Sequence, residues 1–209
     1  MARILITSGP TRQYLDPVRY ITNASSGKMG AALVDAALAL GHEVEVVTGP
    51  VDIEYAAEAR VTPVVSTEEM LHESSRLFEH CDGMIGAAAP CDYRPVCVAP
   101  GKIAKTGDPL ALNLIETDDV VATLGAVKGE RWVVGFALET DDHRLRAIAK
   151  MERKCCDLMV SNGVAAMDSD TNSIELIAPS GDILCRSEGS KPAVARAILD
   201  VIHRELITR

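Results

Sequence analysis

The sequence predicts an α/β fold in which a doubly wound, mainly parallel sheet carries an antiparallel hairpin at one edge. Short apolar runs alternate with amphipathic segments along most of the 209 residues, and this alternation is typical of parallel strands joined by helical crossovers. Late in the chain, two strand-like segments flank the turn sequence Pro179-Ser180-Gly181-Asp182, which predicts a hairpin. No internal repeat or linker divides the chain, so we expect one domain over residues 1–209.

Four elements are predicted in the first part of the chain. Residues 4–7 form an apolar run that ends at a Ser-Gly-Pro turn, which indicates a buried strand. After a long polar loop, Ser25-Ser26-Gly27 begins a helix that ends at Gly41. Residues 43–48 and 61–65 are the next two strands.

The middle of the chain continues the alternation. The capping box that begins at Ser66 predicts a helix to about residue 78. Residues 83–88 form a strand of small residues, and residues 110–115 form another strand. Thr117 is expected to cap a helix that begins at Asp118.

The last third completes the sheet. Residues 132–138 form a strongly apolar strand, and Thr140 is expected to cap a helix to about residue 153. Residues 158–160 form a short strand, and residues 173–177 and 183–186 are the arms of the hairpin. Ser190 caps the last helix, with Pro192 in its first turn. With right-handed crossovers, this order gives a Rossmann-like sheet.

The composition excludes several classes of protein. Hydrophobic residues make up 47% of the chain and aromatic residues only 3%, which predicts a globular protein with an aliphatic core. The net charge of −9 argues against a nucleic-acid partner, because nucleic-acid binding needs a basic face. A few local cations still suffice to bind a small anion. No apolar stretch approaches about 18 residues and no signal sequence is present, so we expect no membrane partner and a cytoplasmic location.

The cysteines and histidines do not form metal-binding patterns. The six cysteines lack C-x-x-C spacing, so we expect reduced thiols without zinc or disulfides. The five histidines show no ligand spacing and receive no chemical role. No G-x-S-x-G element or Cys/His nucleophile pattern is present, which argues against covalent hydrolysis.

Ligands of such a sheet bind beyond the carboxyl ends of its strands, so three loops are expected to meet there: residues 8–26, residues 87–107 and residues from 139 onward. In the first loop, Ser25, Ser26 and Gly27 form either an anion site at a helix N-terminus or an ordinary N-cap. A Walker A loop is excluded because Met29 follows Lys28. A dinucleotide fingerprint is excluded because the loop is long and the second strand ends without an acid.

The second and third loops supply further candidates. The small residues before Asp92 allow a flat base to approach the backbone, and Asp92 suits a ribose hydroxyl or a divalent cation. Lys102 and Lys105 form either a mobile cationic flap or a solvated basic loop. Lys150 and Lys154 share one helical face and are surface lysines by default.

Longer motifs give these segments a family resemblance. The two most specific blocks are Asp16-Pro17-Val18-Arg19-Tyr20-Ile21-Thr22-Asn23 and Ser25-Ser26-Gly27-Lys28-Met29-Gly30. Shorter matches are Asp92-Tyr93-Arg94-Pro95, Lys102-Ile103, Val134-Gly135-Phe136-Ala137, Glu139-Thr140, Asp157-Leu158 and Asn162. Together they resemble the phosphopantothenate–cysteine ligase (phosphopantothenoylcysteine synthetase) family, which in many bacteria is the C-terminal half of the bifunctional coenzyme A biosynthesis flavoprotein.

The resemblance implies a reaction and its substrates. Members of this family ligate cysteine to 4′-phosphopantothenate with CTP or ATP, and we expect CTP here. The carboxylate attacks the α-phosphate to give an acyl-nucleotide and pyrophosphate, and the cysteine amine then displaces the nucleoside monophosphate. The resemblance also implies Mg²⁺ as cofactor and a homodimer in contact through the late β segment. FMN is not expected, because the decarboxylase half does not match.

The resemblance further implies roles for individual residues. Lys102 would offset the charge that accumulates during activation, Asn23 would donate to the acyl oxyanion, and Arg19 would orient a carboxylate or phosphate. Ser25, Ser26 and Gly27 would bind either the triphosphate or the phosphate of phosphopantothenate, and Asp92 is the candidate metal ligand. The implied nucleotide pocket consists of Gly86, Ala87, Ala88, Asp92, Asp118, Asp119, Val120, Val121, Phe136, Lys150 and Lys154.

Three segments depart from the family pattern. Ala89-Pro90-Cys91-Asp92 replaces Ala-Val-Ala-Asp, Lys102-Ile103-Ala104-Lys105 replaces Lys-Ile-Lys-Lys, and Thr117-Asp118-Asp119 replaces Asn-Pro-Asp. Two alternatives remain open: a nicotinamide-dependent oxidoreductase, which the missing fingerprint opposes, and a non-catalytic nucleotide sensor. A sensor would have no need of Asn23 together with Lys102.

Overall fold

The helices and strands were obtained from a computed structural model that describes residues 1–139, 143–163 and 171–208. The strands are β1 (Arg3–Ser8), β2 (Arg12–Tyr14), β3 (Tyr20–Thr22), β4 (Glu43–Thr48), β5 (Arg60–Pro63), β6 (Gly83–Gly86), β7 (Tyr93–Pro95), β8 (Leu114–Glu116), β9 (Trp132–Glu139), β10 (Leu158–Gly163), β11 (Thr171–Ile177) and β12 (Ile183–Ser190). The α-helices are α1 (Lys28–Ala39), α2 (Thr67–Phe78), α3 (Val120–Ala126), α4 (His143–Arg153) and α5 (Lys191–Ile202), and a π-helical turn follows at His203–Ile207.

The central sheet has the predicted doubly wound, mainly parallel topology. Its eight strands lie in the order β12-β11-β10-β9-β6-β1-β4-β5. All neighbours from β10 to β5 are parallel, whereas β11 and β12 are antiparallel and form the predicted edge hairpin. The chain moves outward from β1 through β4 to β5, returns to β6 on the other side of β1, and moves outward again. The winding therefore reverses between β1 and β6, where a ligand crevice is expected.

The sheet is buried on both faces, and the alternation within β1 shows why. Ile4 and Ile6 belong to the core cluster that includes Leu33 of α1 and Ile198 of α5. Leu5 belongs to a second cluster, with residues of α2, α3 and α4. Because one strand feeds both clusters, it reads as a continuous apolar run. Each fully buried aliphatic side chain of this kind contributes about 1.5–3 kcal/mol of transfer free energy.

The predicted caps are confirmed for two helices. The Ser66 side chain accepts the N–H of Glu69, and the Ser190 side chain accepts the N–H of Ala193. Pro192 lies in the first turn of α5, as predicted. The predicted cap at Thr140 lies outside the described residues.

Several predicted boundaries differ from the observed ones, among them those of β5, β8 and α3. The third strand is Arg60–Pro63 instead of 61–65, and the strand predicted at 110–115 is Leu114–Glu116, paired with β7 outside the main sheet. The helix predicted to begin at Asp118 begins at Val120, because Asp119 is its N-cap and accepts the N–H of Ala122 at 3.0 Å. Thr117 does not cap this helix. Its hydroxyl donates to the carbonyl of Cys91 at 2.6 Å.

The properties of the helices and the cysteines bear on membrane insertion and on thiol reactivity. In the part of the chain that the structure describes, the helices are too short or too polar to span a bilayer. All six cysteines are free thiols: Cys81, Cys91, Cys97, Cys155, Cys156 and Cys185. Burial raises the pKa of the Cys81 and Cys156 thiols to about 12, so neither is a thiolate at neutral pH.

His42 is buried between residues close to the two ends of the chain, and its titration is expected to make the free energy of unfolding depend on pH. His42 is 4% exposed, its Nδ1 accepts the N–H of Ala2 at 3.2 Å, and its Nε2 lies 3.3 Å from Nδ1 of His203. Burial, together with the charge of His203, lowers the pKa of His42 below its ordinary 6.5. The unfolded chain therefore binds a proton at this residue more readily than the folded protein does.

We therefore expect acidification to destabilise the fold through His42. The contribution of His42 to the free energy of unfolding should be fully present above pH 6.5. It should be lost as the pH is lowered through the depressed pKa of His42. Urea unfolding at pH 7.5, 6.5 and 5.5 measures this loss. His42→Gln should show a smaller loss than wild type, whereas the exposed control His72→Gln should retain the wild-type loss. Equal losses in all three proteins would contradict the assignment.

Candidate functional site

The candidate site lies at the carboxyl edge of the sheet, where the winding reverses. The segment that follows β6 runs beside the segment that follows β1: the N–H of Ala87 donates to the carbonyl of Thr7 at 3.2 Å, and the N–H of Ala89 donates to the carbonyl of Gly9 at 2.9 Å. Two cavities open at this edge, and both are lined by Ala88, Pro90, Asp92 and Phe136. The 88–92 segment therefore lies between the two cavities.

The first cavity, here the α3 cavity, is formed beside the start of α3 and has a volume of 420 Å³. It contains most of the predicted nucleotide pocket. The predicted residues that line it are Gly86, Ala88, Asp92, Asp118, Asp119, Val120, Val121, Phe136 and Lys154.

An ion pair fixes one wall of the α3 cavity. Lys154 Nζ lies 2.9 Å from Asp119 Oδ2. Burial raises the pKa of Asp119, but the N–H of Ala122 and the Lys154 ammonium outweigh burial and lower it overall. Asp119 is therefore ionised at neutral pH and holds Lys154 at the cavity. A Cβ at Gly125 would collide with the carbonyl of Lys154, so this glycine allows α3 to pack against the end of α4.

The second cavity, here the α1 cavity, is formed at the start of α1 and has a volume of 470 Å³. It contains the predicted anion site and the remaining predicted pocket residues. Lys150 lines this cavity, whereas Lys154 lines the α3 cavity, so the two lysines belong to different cavities. The predicted residues that line it are Asn23, Ser25, Ser26, Gly27, Ala87, Ala88, Asp92, Phe136 and Lys150.

The first turn of α1 is built for close packing. Gly27 is its N-cap with φ at 75°, and no side chain among the described residues caps the helix. Ser25 and Ser26 therefore do not cap it, and the closely packed glycine that the alternative of an ordinary N-cap requires is present. A Cβ at Gly30 would collide with the Ser8 side chain, so the helix begins directly against the end of β1. Backbone N–H groups without a side-chain cap at a helix N-terminus favour an anion.

The three residues to which the resemblance gives roles in the reaction lie at different places. Asn23 lines the α1 cavity, and its Nδ2 donates to the carbonyl of Pro90 at 2.8 Å and weakly to that of Ala89 at 3.4 Å. Arg19 and Lys102 are not among the residues that line either cavity. Arg19 instead contacts Asp16 and the backbone of Ile103. Lys102 is exposed on the loop of residues 96–113 between β7 and β8, which we call the flap. The roles of all three stay predictions.

Asp92, the predicted metal ligand, does not belong to a cluster of metal-binding side chains among the described residues. The described residues contain no cluster of three or more His, Cys, Asp or Glu side chains that would hold a metal by themselves. Asp92 lines both cavities. Mg²⁺ commonly binds through one or two carboxylates together with phosphate oxygens and water, and this arrangement suits a nucleotide-borne magnesium ion.

Two buried residues of the α1 cavity were missed by the sequence analysis. Asn172 and Lys191 are 5% and 7% exposed and line this cavity. Oδ1 of Asn172 has no hydrogen-bond partner among the described residues. The sequence holds no signal for them, because they reach this edge only through the antiparallel pairing that sets Asn172 opposite Gly189.

The chain has curated relatives that are longer than itself. A cysteine/cysteine sulfinic acid decarboxylase of an unknown prokaryotic organism is 39% identical over 211 residues, which cover 96% of this chain and 59% of the relative. The coenzyme A biosynthesis bifunctional protein CoaBC of Escherichia coli is 39% identical over 214 residues, which cover 99% of this chain and 52% of the relative. The chain thus spans little more than half the length of these relatives.

Solved structures and a family model identify the domain. The C-terminal domain of the coenzyme A biosynthesis bifunctional protein CoaBC matches with a TM-score of 0.84 at 34% identity, covering 98% of this chain and 95% of that domain. A Cab2 variant in complex with phosphopantothenate-cysteine matches with a TM-score of 0.75 at 17% identity, which shows a shared fold alone. The family model for the DNA/pantothenate metabolism flavoprotein C-terminal domain matches residues 1–206. The chain belongs to this family.

Proposed function

We propose that this protein is a phosphopantothenate–cysteine ligase of coenzyme A biosynthesis, which activates 4′-phosphopantothenate with CTP and transfers the acyl group to cysteine. The observation that carries the proposal is the pair of adjoining cavities at the switch point, which share Ala88, Pro90, Asp92 and Phe136. Membership in the family and the CoaBC relatives support it. Decarboxylation and FMN are not part of the proposal.

Two adjoining cavities fit the chemistry of activation. A carboxylate oxygen attacks the α-phosphorus of the nucleotide, and the bond to pyrophosphate breaks. The cysteine amine then attacks the acyl carbon, and the nucleoside monophosphate leaves with that carboxylate oxygen. Both reactants must therefore meet at one phosphorus atom. The cavity volumes of 420 and 470 Å³ are typical of sites for small molecules.

We assign the nucleoside to the α3 cavity and phosphate groups to the N-terminus of α1. Small residues on the 86–88 segment leave room for a flat base beside the backbone. The shared residue Asp92 would help to hold Mg²⁺ against the phosphates, where the cation offsets their charge. Lys102 would reach the reacting phosphate from the flap, and Asn23 would donate to the acyl oxygen in the transfer step.

The proposal includes a homodimer. Strand β12 forms one edge of the central sheet, and no strand of the described residues pairs with its outer side, where a second copy could bind. Apolar side chains are also exposed on the β7–β8 pair, where Tyr93 is 48% and Ile115 is 40% exposed. Sedimentation equilibrium at micromolar concentrations should therefore show twice the mass of 22.3 kDa. A monomer would remove this part of the proposal.

Pyrophosphate release tests the function. With phosphopantothenate, cysteine and Mg²⁺, we expect one pyrophosphate and one nucleoside monophosphate for each amide formed, faster with CTP than with ATP. If neither CTP nor ATP supported pyrophosphate release, the proposal would be contradicted. A sensor would be stabilised against heat by CTP without turnover, whereas a nicotinamide enzyme would be stabilised by NAD(P)H and not by CTP.

A further inference from the structure

Asp16 and Arg19 join two segments that are distant in the sequence. The Asp16 side chain is fully buried, and its Oδ1 accepts the N–H groups of Val18 and Arg19, each at 2.8 Å. Its Oδ2 accepts the N–H of Ile103 at 3.1 Å. Arg19 Nη1 lies 3.5 Å from the same Oδ2, and its Nη2 donates to the carbonyl of Ile103 at 3.0 Å. Both backbone polar groups of Ile103 are therefore held by this Asp16–Arg19 pair, here called the clamp.

A second hydrogen bond fixes the other side of Lys102. The N–H of Ala99 donates to the carbonyl of Leu15 at 2.9 Å. Residues 99–103, which include Lys102, are thus attached at both ends to the turn at residues 15–19. Beyond Ile103, residues 104–113 are all exposed. The clamp therefore divides the flap into an anchored root that carries Lys102 and an exposed remainder.

The same turn also leads to Asn23. It connects β2 to β3, and β3 ends at Thr22, immediately before Asn23. The turn is closed by the N–H of Leu15, which donates to the carbonyl of Arg19 at 2.8 Å. One hairpin therefore sets the backbone positions of both Lys102 and Asn23.

The clamp is held by charge-assisted hydrogen bonds. Burial raises the pKa of Asp16, but three backbone N–H groups and the Arg19 guanidinium outweigh burial and lower it overall. Asp16 is therefore a carboxylate at neutral pH, and hydrogen bonds to a carboxylate are stronger than those to a neutral acceptor. Asparagine has nearly the same shape as aspartate, lacks the charge and offers one acceptor oxygen. Asp16→Asn therefore removes the charge of the clamp with almost no change in side-chain volume.

We propose that Asp16 is a positioning residue that acts through Ile103 to fix the backbone from which the Lys102 side chain extends. The catalytic part of this inference rests on the proposed function, whereas the mechanical part concerns this chain alone. A loosened root would leave Lys102 in a productive position for a smaller fraction of the time, so activation would slow while the cavities stayed intact.

Limited proteolysis tests the mechanical part. Trypsin under native conditions, with cleavage sites mapped by mass spectrometry, should cut after Lys102 at least 10-fold faster in Asp16→Asn than in wild type. The matched control is Asp157→Asn. Asp157, like Asp16, pairs with a cationic side chain, that of Lys128, and accepts a backbone N–H, that of Val133. This control should leave cleavage at the flap unchanged. Arg19→Lys, which shortens the reach to Ile103, provides a second variant if Asp16→Asn does not fold.

Unchanged cleavage in a folded Asp16→Asn or Arg19→Lys protein would overturn the clamp. For the catalytic part, Asp16→Asn should slow pyrophosphate release at least 10-fold with nucleotide affinity within twofold of wild type. Added to Lys102→Gln, which removes the charge that the clamp positions, the same change should lower the residual rate less than twofold, because Asp16 acts through that side chain. An equal loss in both backgrounds would overturn the positioning role. If wild type releases no pyrophosphate, the proposed function fails, and proteolysis still decides the clamp.

Discussion

Replacement of Lys102 by glutamine is expected to abolish pyrophosphate release and leave the fold intact. The side chain is exposed and lies on the flap, outside both cavities, so its loss leaves no hole in the core. Glutamine keeps a polar side chain and removes the charge that would offset the negative charge of the activated phosphate. We expect a loss of roughly 100-fold or more, which corresponds to about 2.7 kcal/mol of transition-state stabilisation.

Lys105→Gln is the matched control for this experiment. Lys105 lies on the exposed part of the same flap, beyond the clamp. Its replacement removes the same charge from the same loop, and we expect an effect below about threefold. Both variants should unfold at the wild-type temperature. Near-normal turnover in a folded Lys102→Gln protein would refute the role given to Lys102.

Asn23→Asp is expected to impair cysteine transfer more than activation. The amide of Asn23 donates to the carbonyl of Pro90 at 2.8 Å. A carboxylate at this position has no N–H to donate and repels the carbonyl oxygen of Pro90. Its negative charge also repels the acyl oxygen, which becomes an oxyanion during transfer. Loss of one such donor costs ~3–4 kcal/mol, so we expect transfer to slow by about 100-fold to 1,000-fold.

The expected signature is an accumulated acyl-nucleotide. Quenched reactions of Asn23→Asp should contain this intermediate, detectable by mass spectrometry, whereas wild-type reactions should not accumulate it. Asn113→Asp makes the same chemical change on an exposed loop and should behave as wild type. If Asn23→Asp slowed both steps equally and no intermediate accumulated, Asn23 would not act in the transfer step.

The predicted fold was right where burial leaves a pattern. Strands β1 and β4 are buried on both faces, so each reads as an apolar run bounded by turn residues. The short pairs β2–β3 and β7–β8 lie outside the central sheet. Strands β2, β3 and β7 were missed, and β8 was predicted with wrong bounds. Strand β8 is exposed at all three residues, so it carries no alternation that would fix its ends.

The candidate site was predicted as a set of residues more completely than as a set of contacts. Motif resemblance supplied about half of the residues that line the two cavities. It did not supply the ion pair of Asp119 with Lys154, because Lys154 lies after α4 and meets α3 only in the folded chain. It likewise did not show that Arg19 contacts the carbonyl of Ile103, 84 positions away. Such contacts depend on topology, which sequence spacing does not encode.

The fate of one oxygen atom tests the central claim most directly. Phosphopantothenate labelled with ¹⁸O in its carboxylate should deliver one labelled oxygen to the nucleoside monophosphate for each amide formed, because that oxygen bonds to the α-phosphorus during activation. Mass spectrometry of the recovered nucleotide measures the transfer. Label found in inorganic phosphate, or amide formation with no label in either phosphate product, would contradict activation through an acyl-nucleotide.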